Sequence, residues 1–250
     1  MSELAGKKAL VTGGSRGLGL AIAQALVAQN AQVTVLARDA EQLREVERRL
    51  GVRAIQGDIA DAELAARAIG EVRPDLLILN AGAKPSTGLI HEQNWEGFSG
   101  TWNSDVKGTF HWIQAALALP LANGSRVLIG SSGAAINGSP LSGGYAGAKR
   151  TQWLLAHYAN ASAKALGREI QFQALVPQQM IGETELGRAG AEAYAKRTGV
   201  SVEQFLAGFG AALSPAQVAE HVISILTEPR YRAGVAFGLK GDSGIVSLDG

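Results

Sequence analysis

The chain has 250 residues, with 23 Lys and Arg against 22 Asp and Glu for a formal net charge of +1, which suits one substantial α/β core and argues against a protein whose main task is gripping nucleic acid or an anionic membrane. There is no cysteine, so disulfides, iron–sulfur clusters, thiolate zinc sites and thiol nucleophiles are excluded. Glycine is the outlier at 32 residues, about 13% against roughly 7% in an ordinary chain, and with 46% hydrophobic residues and 7 prolines the excess points to bare backbone needed at particular places in a packed fold.

Strand and helix patterns alternate along the chain. Residues 8–12 read as a first strand, and residues 17–28 as a helix with Leu18, Ile22, Ala25 and Leu26 on one face. A strand over 32–36 leads into a helix over 39–50, with Asp39 as its N-cap and Gly51 as its stop. Strands are expected at 52–56 and 76–79, with a helix over 61–69 between them. A long helical pattern over 93–119 ends at Pro120, and Asn123-Gly124 turns into a strand at 126–129. The Gly- and Ser-rich stretch 130–144 precedes a helix over 145–166 and a strand over 170–176 closed by Pro177. Beyond it, 182–210 is helical in pattern but interrupted by glycines, Ser214-Pro215 opens a helix over 215–226, and 235–237 is the last strand. Such alternation implies a doubly wound parallel sheet of about seven strands in one domain, with helices on both faces. No apolar run approaches the roughly 20 residues of a membrane span. Residues 1–8 have no signal-peptide pattern, so a cytoplasmic protein is expected.

Thr12-Gly13-Gly14-Ser15-Arg16-Gly17-Leu18-Gly19 joins the first strand to the first helix. Gly13 permits a tight turn, Gly17 lets backbone approach a pyrophosphate, and Gly19 lets the helix pack closely on the sheet. The helix N-terminus then offers free N–H groups to phosphate. At the end of the second strand, Ala37 fills the slot where an acidic residue would bind a ribose 2′-hydroxyl, and Arg38 follows. Arg38, with Arg16, suits a 2′-phosphate, so NADP is favoured over NAD. Asp39 opposes that preference if it points inward instead of capping.

Tyr145 and Lys149 are i and i+4 on one helix. A phenol ionises near ~10 in isolation; an adjacent ammonium favours the phenolate and brings it toward acid–base work at neutral pH. Ser132 lies just past a strand, on the carboxyl edge where α/β sites form, and its hydroxyl suits a substrate carbonyl.

Together these motifs resemble the short-chain dehydrogenase/reductase family, in its single-domain type of about 250 residues with a Rossmann-type sheet. Asp58 after the third strand and Asn80-Ala81-Gly82 after the fourth add to the likeness. The resemblance implies that Asp58 and Ile59 flank an adenine, and that Asn80, Ala81 and Gly82 support the sheet centre and a ribose. It also implies Tyr145 as acid–base, Lys149 as its modulator and ribose ligand, Ser132 as carbonyl orienter, and a homo-oligomer, dimer or tetramer, built on the helices at 93–119 and 145–166. Two positions depart from the family pattern. Asp105 occupies the slot of an asparagine whose backbone carbonyl holds a relay water, with Asn103 two residues away; an added carboxylate there would raise the lysine's pKa and alter proton delivery, so Asp105 is expected in the catalytic set, completing or modifying the proton relay. Pro177-Gln178 replaces Pro-Gly, and Thr184 sits further along than usual, where contacts to a nicotinamide carboxamide are expected.

The expected activity is therefore NADP-dependent hydride transfer to or from the carbonyl or secondary alcohol of a small, apolar molecule under a lid at 183–210. A non-catalytic NADP sensor and a 3-oxoacyl-thioester reductase are the alternatives. A hydrolase reading of Gly130-Ser131-Ser132-Gly133-Ala134 lacks the final glycine and leaves the phosphate loop without a role. His91, His111, His157 and His221 are scattered, so no metal is expected. Arg44, Arg48, Arg49 and Arg53 interleave with Glu41, Glu45 and Glu47 and read as a solvated face.

Overall fold

Side-chain caps mark where several helices begin in the computed structural model, which describes residues 2–119 and 121–249. The chain runs β1 (Lys8–Thr12), α1 (Gly17–Ala28), β2 (Gln32–Ala37), α2 (Ala40–Leu50), β3 (Arg53–Gln56), α3 (Ala62–Val72) and β4 (Leu76–Leu79). Asp39 accepts from the N–H groups of Glu41 and Gln42 at the start of α2, and Asp61 does the same for Glu63 and Leu64 at α3. Gly51 closes α2 with φ of 66°.

The middle of the chain departs from one uninterrupted helix. It forms α4 (Trp95–Thr101), a π-helical turn (Trp102–Val106) and α5 (Lys107–Ala118). The expected stop at Pro120 lies outside the described residues, as do Met1 and the carboxyl-terminal Gly250. Then follow β5 (Arg126–Gly130), the short α6 (Ala134–Asn137), α7 (Gly143–Ala165) and β6 (Gln171–Pro177). The stretch read as interrupted helix resolves into α8 (Glu185–Thr198) and α9 (Val202–Ala207), and Ser214 caps α10 (Pro215–Thr227). The expected last strand is a hairpin of β7 (Ala236–Lys240) and β8 (Gly244–Ser247). Helix α3 runs past its expected end at residue 69 because Val72 is still buried, and it stops where Arg73 adopts a φ of 48°.

The sheet has eight strands in the order β3-β2-β1-β4-β5-β6-β7-β8, parallel up to the antiparallel β7–β8 pair. This is the doubly wound sheet expected, with one strand more than the pattern showed. Two apolar cores fill its faces: Leu10, Leu77, Trp112 and Phe172 on one, Val11, Ile22, Leu128 and Val222 on the other. At the far end of β5, buried Arg126 donates to the Ile225 carbonyl at 2.6 Å and to Gln173, and burial together with nearby Arg232 pushes its pKa down to about 10. The strand order reverses between β1 and β4, which opens a crevice at their carboxyl ends.

Candidate active site

The turn after β1 is shaped by close backbone approach. Gly13 has φ of +68°, and a Cβ there would lie 2.8 Å from the Ala81 Cα. A Cβ at Gly19 would overlap the Gly13 carbonyl and the Asn80 amide, so α1 can sit against the sheet only with glycine there. Thr12 ties the two loops together: its Oγ1 accepts from the N–H groups of Asn80 at 3.1 Å and Ala81 at 3.2 Å. Helix α1 starts with no side-chain cap and no acidic residue in its first turn. Its N–H groups therefore remain available at the crevice, and the nearest neighbour of a Cβ at Gly17 would be the Thr184 methyl at 3.7 Å.

A cleft of about 1070 Å³ runs from this turn along the carboxyl edge of the sheet. Gly13, Ser15, Arg16, Gly17 and Leu18 line one end, with Arg38, Asp58 and Ile59 beside them. Asn80, Ala81 and Gly82 form its middle, and Asp105, Ser132, Tyr145 and Lys149 face it beyond. Pro177 and Thr184 line the opposite wall. Gly19 does not line the cleft; it is covered by the turn it supports.

Individual side chains are more committed than their types implied. Asp39 caps α2, so its carboxylate is already engaged. Arg16 forms an ion pair with Glu185, in the first turn of α8. Thr184 caps α8, its Oγ1 accepting from the Gly187 N–H at 3.0 Å and donating to the Ile181 carbonyl at 2.8 Å. Ile59 packs over Gly108, and its carbonyl accepts from Trp112 Nε1 at 3.1 Å. Among the described residues the Ser132 hydroxyl accepts one long bond, from the Ala134 N–H at 3.3 Å.

Tyr145 and Lys149 start α7, and glycine sets how near α4 comes to them. A Cβ at Gly144 would overlap the Phe98 carbonyl, and Trp102 covers Gly147 while donating from Nε1 to the Gly144 carbonyl at 3.0 Å. Several glycines near the tyrosine are thus explained by helix approach. The widened π turn that follows carries Asp105 inward. Lys149 Nζ lies 5.5 Å from the Tyr145 ring centroid, 2.8 Å from Gln152 Oε1, 3.1 Å from Asp105 Oδ2 and 3.2 Å from the Gly130 carbonyl oxygen. Burial alone would push the Lys149 pKa down, but the Asp105 carboxylate 3.1 Å away and then the Tyr145 phenol outweigh it and hold it above the ordinary lysine value.

Two participants, Gln152 and Glu185, are not singled out by the sequence, whereas Tyr194 falls within the expected lid. Gln152 is i+3 from Lys149, a spacing that would have placed it on the same face. Glu185 offered no local signal, since its partner is 169 residues away. Tyr194 of α8 closes over the cleft: its hydroxyl lies 2.7 Å from Ser139 Oγ, and its ring stacks on Phe205 with centroids 5.6 Å apart. Among the described residues no group of three or more His, Asp or Glu is placed to hold a metal ion, and no helix is long and apolar enough to cross a membrane.

A family profile described as short chain dehydrogenase matches residues 7–193. The chain belongs to that family. Among curated relatives of this short chain dehydrogenase, a rhamnolipid-biosynthesis 3-oxoacyl-[acyl-carrier-protein] reductase of Pseudomonas aeruginosa is 39% identical over 126 residues, 47% of this chain and 49% of that protein. A cis-2,3-dihydrobiphenyl-2,3-diol dehydrogenase of Paraburkholderia xenovorans is 35% identical over 153 residues, 56% of this chain and 55% of that one. The chain spans about half the length of these relatives. The crystal structure of an NAD+-bound xylitol dehydrogenase superposes with a TM-score of 0.84 at 22% identity, covering 96% of this chain and all of that one, a likeness of fold alone.

Proposed function

We propose that this dehydrogenase is an NADP-dependent oxidoreductase acting on the carbonyl or secondary alcohol of a small, apolar molecule, as one nucleotide-binding domain with a lid over residues 183–210. The observation that carries the reading is the single cleft lined by both the uncapped glycine turn and Ser132, Tyr145 and Lys149. The residues suit a dinucleotide: bare backbone at Gly17 and free N–H groups of α1 for the pyrophosphate, Asp58 and Ile59 for the adenine, Asn80, Ala81, Gly82 and Lys149 for the ribose. Pro177 and Thr184 face the nicotinamide end. When bound, the nicotinamide supplies or accepts the hydride.

The chain's own residues handle the proton and the orientation. Ser132 Oγ donates a hydrogen bond to the carbonyl oxygen and fixes it against the cleft wall. Tyr145 holds a proton on its phenolic oxygen and delivers it to that same oxygen as negative charge develops there; in the reverse direction it takes the proton from the alcohol. Lys149 keeps positive charge one helical turn from the phenol. Leu186, Phe205 and Phe209 give the substrate end an apolar wall.

Preference for NADP is supported by Ala37 at the end of β2, by the capping role of Asp39 and by exposed Arg38 at the rim. Arg16 joins Arg38 on the 2′-phosphate once it leaves Glu185. Exposed Trp95, Phe110 and Tyr158 on α4, α5 and α7 support assembly into a homo-oligomer. A second reading, reduction of a 3-oxoacyl thioester, is favoured by a side opening of about 280 Å³ that shares Pro85 and Leu186 with the cleft and is lined by Lys84 and Lys196 against a single carboxylate, Glu192. A panel of aldehydes, ketones, secondary alcohols and 3-oxoacyl thioesters, run with NADPH or NADP+ and with NADH or NAD+, tests both. Turnover that favours the phosphorylated cofactor supports the proposal; cofactor binding without any turnover would indicate a sensor instead.

A further inference from the structure

The oxygens around Lys149 form a built pocket with more in it than acid–base chemistry requires. Asp105 is completely buried. Its Oδ1 accepts from the Ala83 N–H at 2.8 Å, and its Oδ2 comes so near Gly82 that a Cβ there would lie 2.7 Å away. The carboxylate is thus fixed from two sides with Oδ2 aimed at the ammonium. Gln152 is also buried; its Nε2 donates to Thr109 Oγ1 at 2.7 Å and, more weakly, to the Asp105 backbone carbonyl at 3.4 Å. The backbone oxygen in this slot, where the family resemblance places a relay water, already has an amide pointing at it. The side-chain oxygen reaches the lysine directly.

Resting on the dehydrogenase reading above, we propose that Asp105 is a positioning residue whose buried carboxylate keeps Lys149 a fixed cation at the floor of the cleft, in a place where the asparagine usual to the family would leave that cation with no counter-ion. A lysine wrapped in protein without a counter-charge sheds its proton as pH rises. Among the described residues, Asp105 is the one carboxylate within 4 Å of Lys149 Nζ. The other groups facing it are the Tyr145 phenol one turn earlier on α7, the Gln152 amide oxygen on the same helix and the Gly130 carbonyl of β5. Of these, the Gln152 amide and the Gly130 carbonyl carry no charge. The raised pKa of Lys149 accords with this pairing.

The test titrates NADPH binding by nucleotide fluorescence at about pH 7 and about pH 9.5, in a Tyr145→Phe background so that the phenol does not titrate. With Asp105 present, affinity should change by less than about twofold between the two pH values. With Asp105→Asn it should fall about fivefold on going to the higher pH, because a neutral amine donates a weaker hydrogen bond to the ribose than an ammonium does. Lys149→Met in the same background should abolish that difference. A merely structural role for Asp105 would lower affinity equally at both pH values, and parallel pH responses with and without the Asp105→Asn change would overturn the proposal. If the Asp105→Asn chain fails to fold, the protein with Asp105 intact still decides: a fivefold loss between the two pH values contradicts a lysine held charged. Failure of the unaltered chain to bind NADPH or NADH at either pH would overturn the dehydrogenase reading itself, a result distinct from binding that shows the wrong pH response.

Discussion

Arg16, in the glycine turn after β1, and Glu185, in the first turn of α8, pair across the mouth of the cleft. Both side chains are more than half exposed, at 62% and 60%, so the pair itself is worth little in stability. Its effect is on what Arg16 is free to hold. Glu185→Gln should release Arg16 to a 2′-phosphate and tighten NADPH binding by about two- to fivefold, with NADH unchanged. Parallel fluorescence titrations of the two cofactors check this.

Arg38 carries the complementary prediction. It is exposed at the cleft rim and makes no ion pair among the described residues. Arg38→Ala should weaken NADPH by about tenfold or more, the worth of a charge-assisted hydrogen bond to phosphate, and leave NADH within a factor of about two. Equal losses for both cofactors would show that Arg38 has no part in the choice.

The Asp105–Lys149 pair also bears on stability. Removing one partner of a buried ion pair costs about 3–5 kcal/mol, so Asp105→Asn should lower the urea midpoint clearly at neutral pH. Lys149 has a folded pKa above the ordinary 10.5. Its contribution is therefore complete below about 10.5 and is lost as pH rises through the folded value. The gap between the unaltered protein and Asp105→Asn should be widest at neutral pH, narrow as the variant's buried amine sheds its proton toward about pH 9.5, and narrow further once Lys149 of the unaltered protein titrates. Urea denaturation at several pH values measures it.

Gly144 tests how α4 is brought to the site. A methyl group there has no room beside the Phe98 carbonyl, so Gly144→Ala should force α4 and α7 apart and destabilise the fold by about 1–3 kcal/mol, the usual cost of overpacking. Activity should fall with it, since the π turn that presents Asp105 follows α4 directly. Thermal unfolding and turnover should therefore move together in this variant.

Much of this arrangement is legible in the sequence. The spacing of Tyr145 and Lys149, the turn from Thr12 to Gly19 and the cap at Asp39 are local signals, each contained within a few residues. Sequence alone missed what depends on distant partners or on a break in regularity. The π turn at Trp102–Val106 leaves the apolar pattern of 93–119 intact, so nothing local marks it. Strand β8 is only four residues long and pairs antiparallel at the sheet edge after a three-residue turn, so it lacks the helix that follows a parallel strand. Glycines between 182 and 210 interrupt the helical pattern for different reasons: Gly187 is pressed against the Ile181 carbonyl and Gly199 ends α8 with φ of 72°. Composition shows that bare backbone is needed; only packing shows against what.

Tyr145 carries the central claim. Tyr145→Phe removes one oxygen from a half-buried ring and leaves the glycine turn after β1 and the Asp105–Lys149 pair untouched. The direct measurement is NADPH oxidation with the best carbonyl substrate of the panel, by the unaltered chain and by Tyr145→Phe, with NADPH affinity measured alongside. Loss of general acid catalysis predicts a fall in kcat of at least about 10²-fold with the cofactor Kd nearly unchanged. Near-normal turnover by Tyr145→Phe would contradict the account.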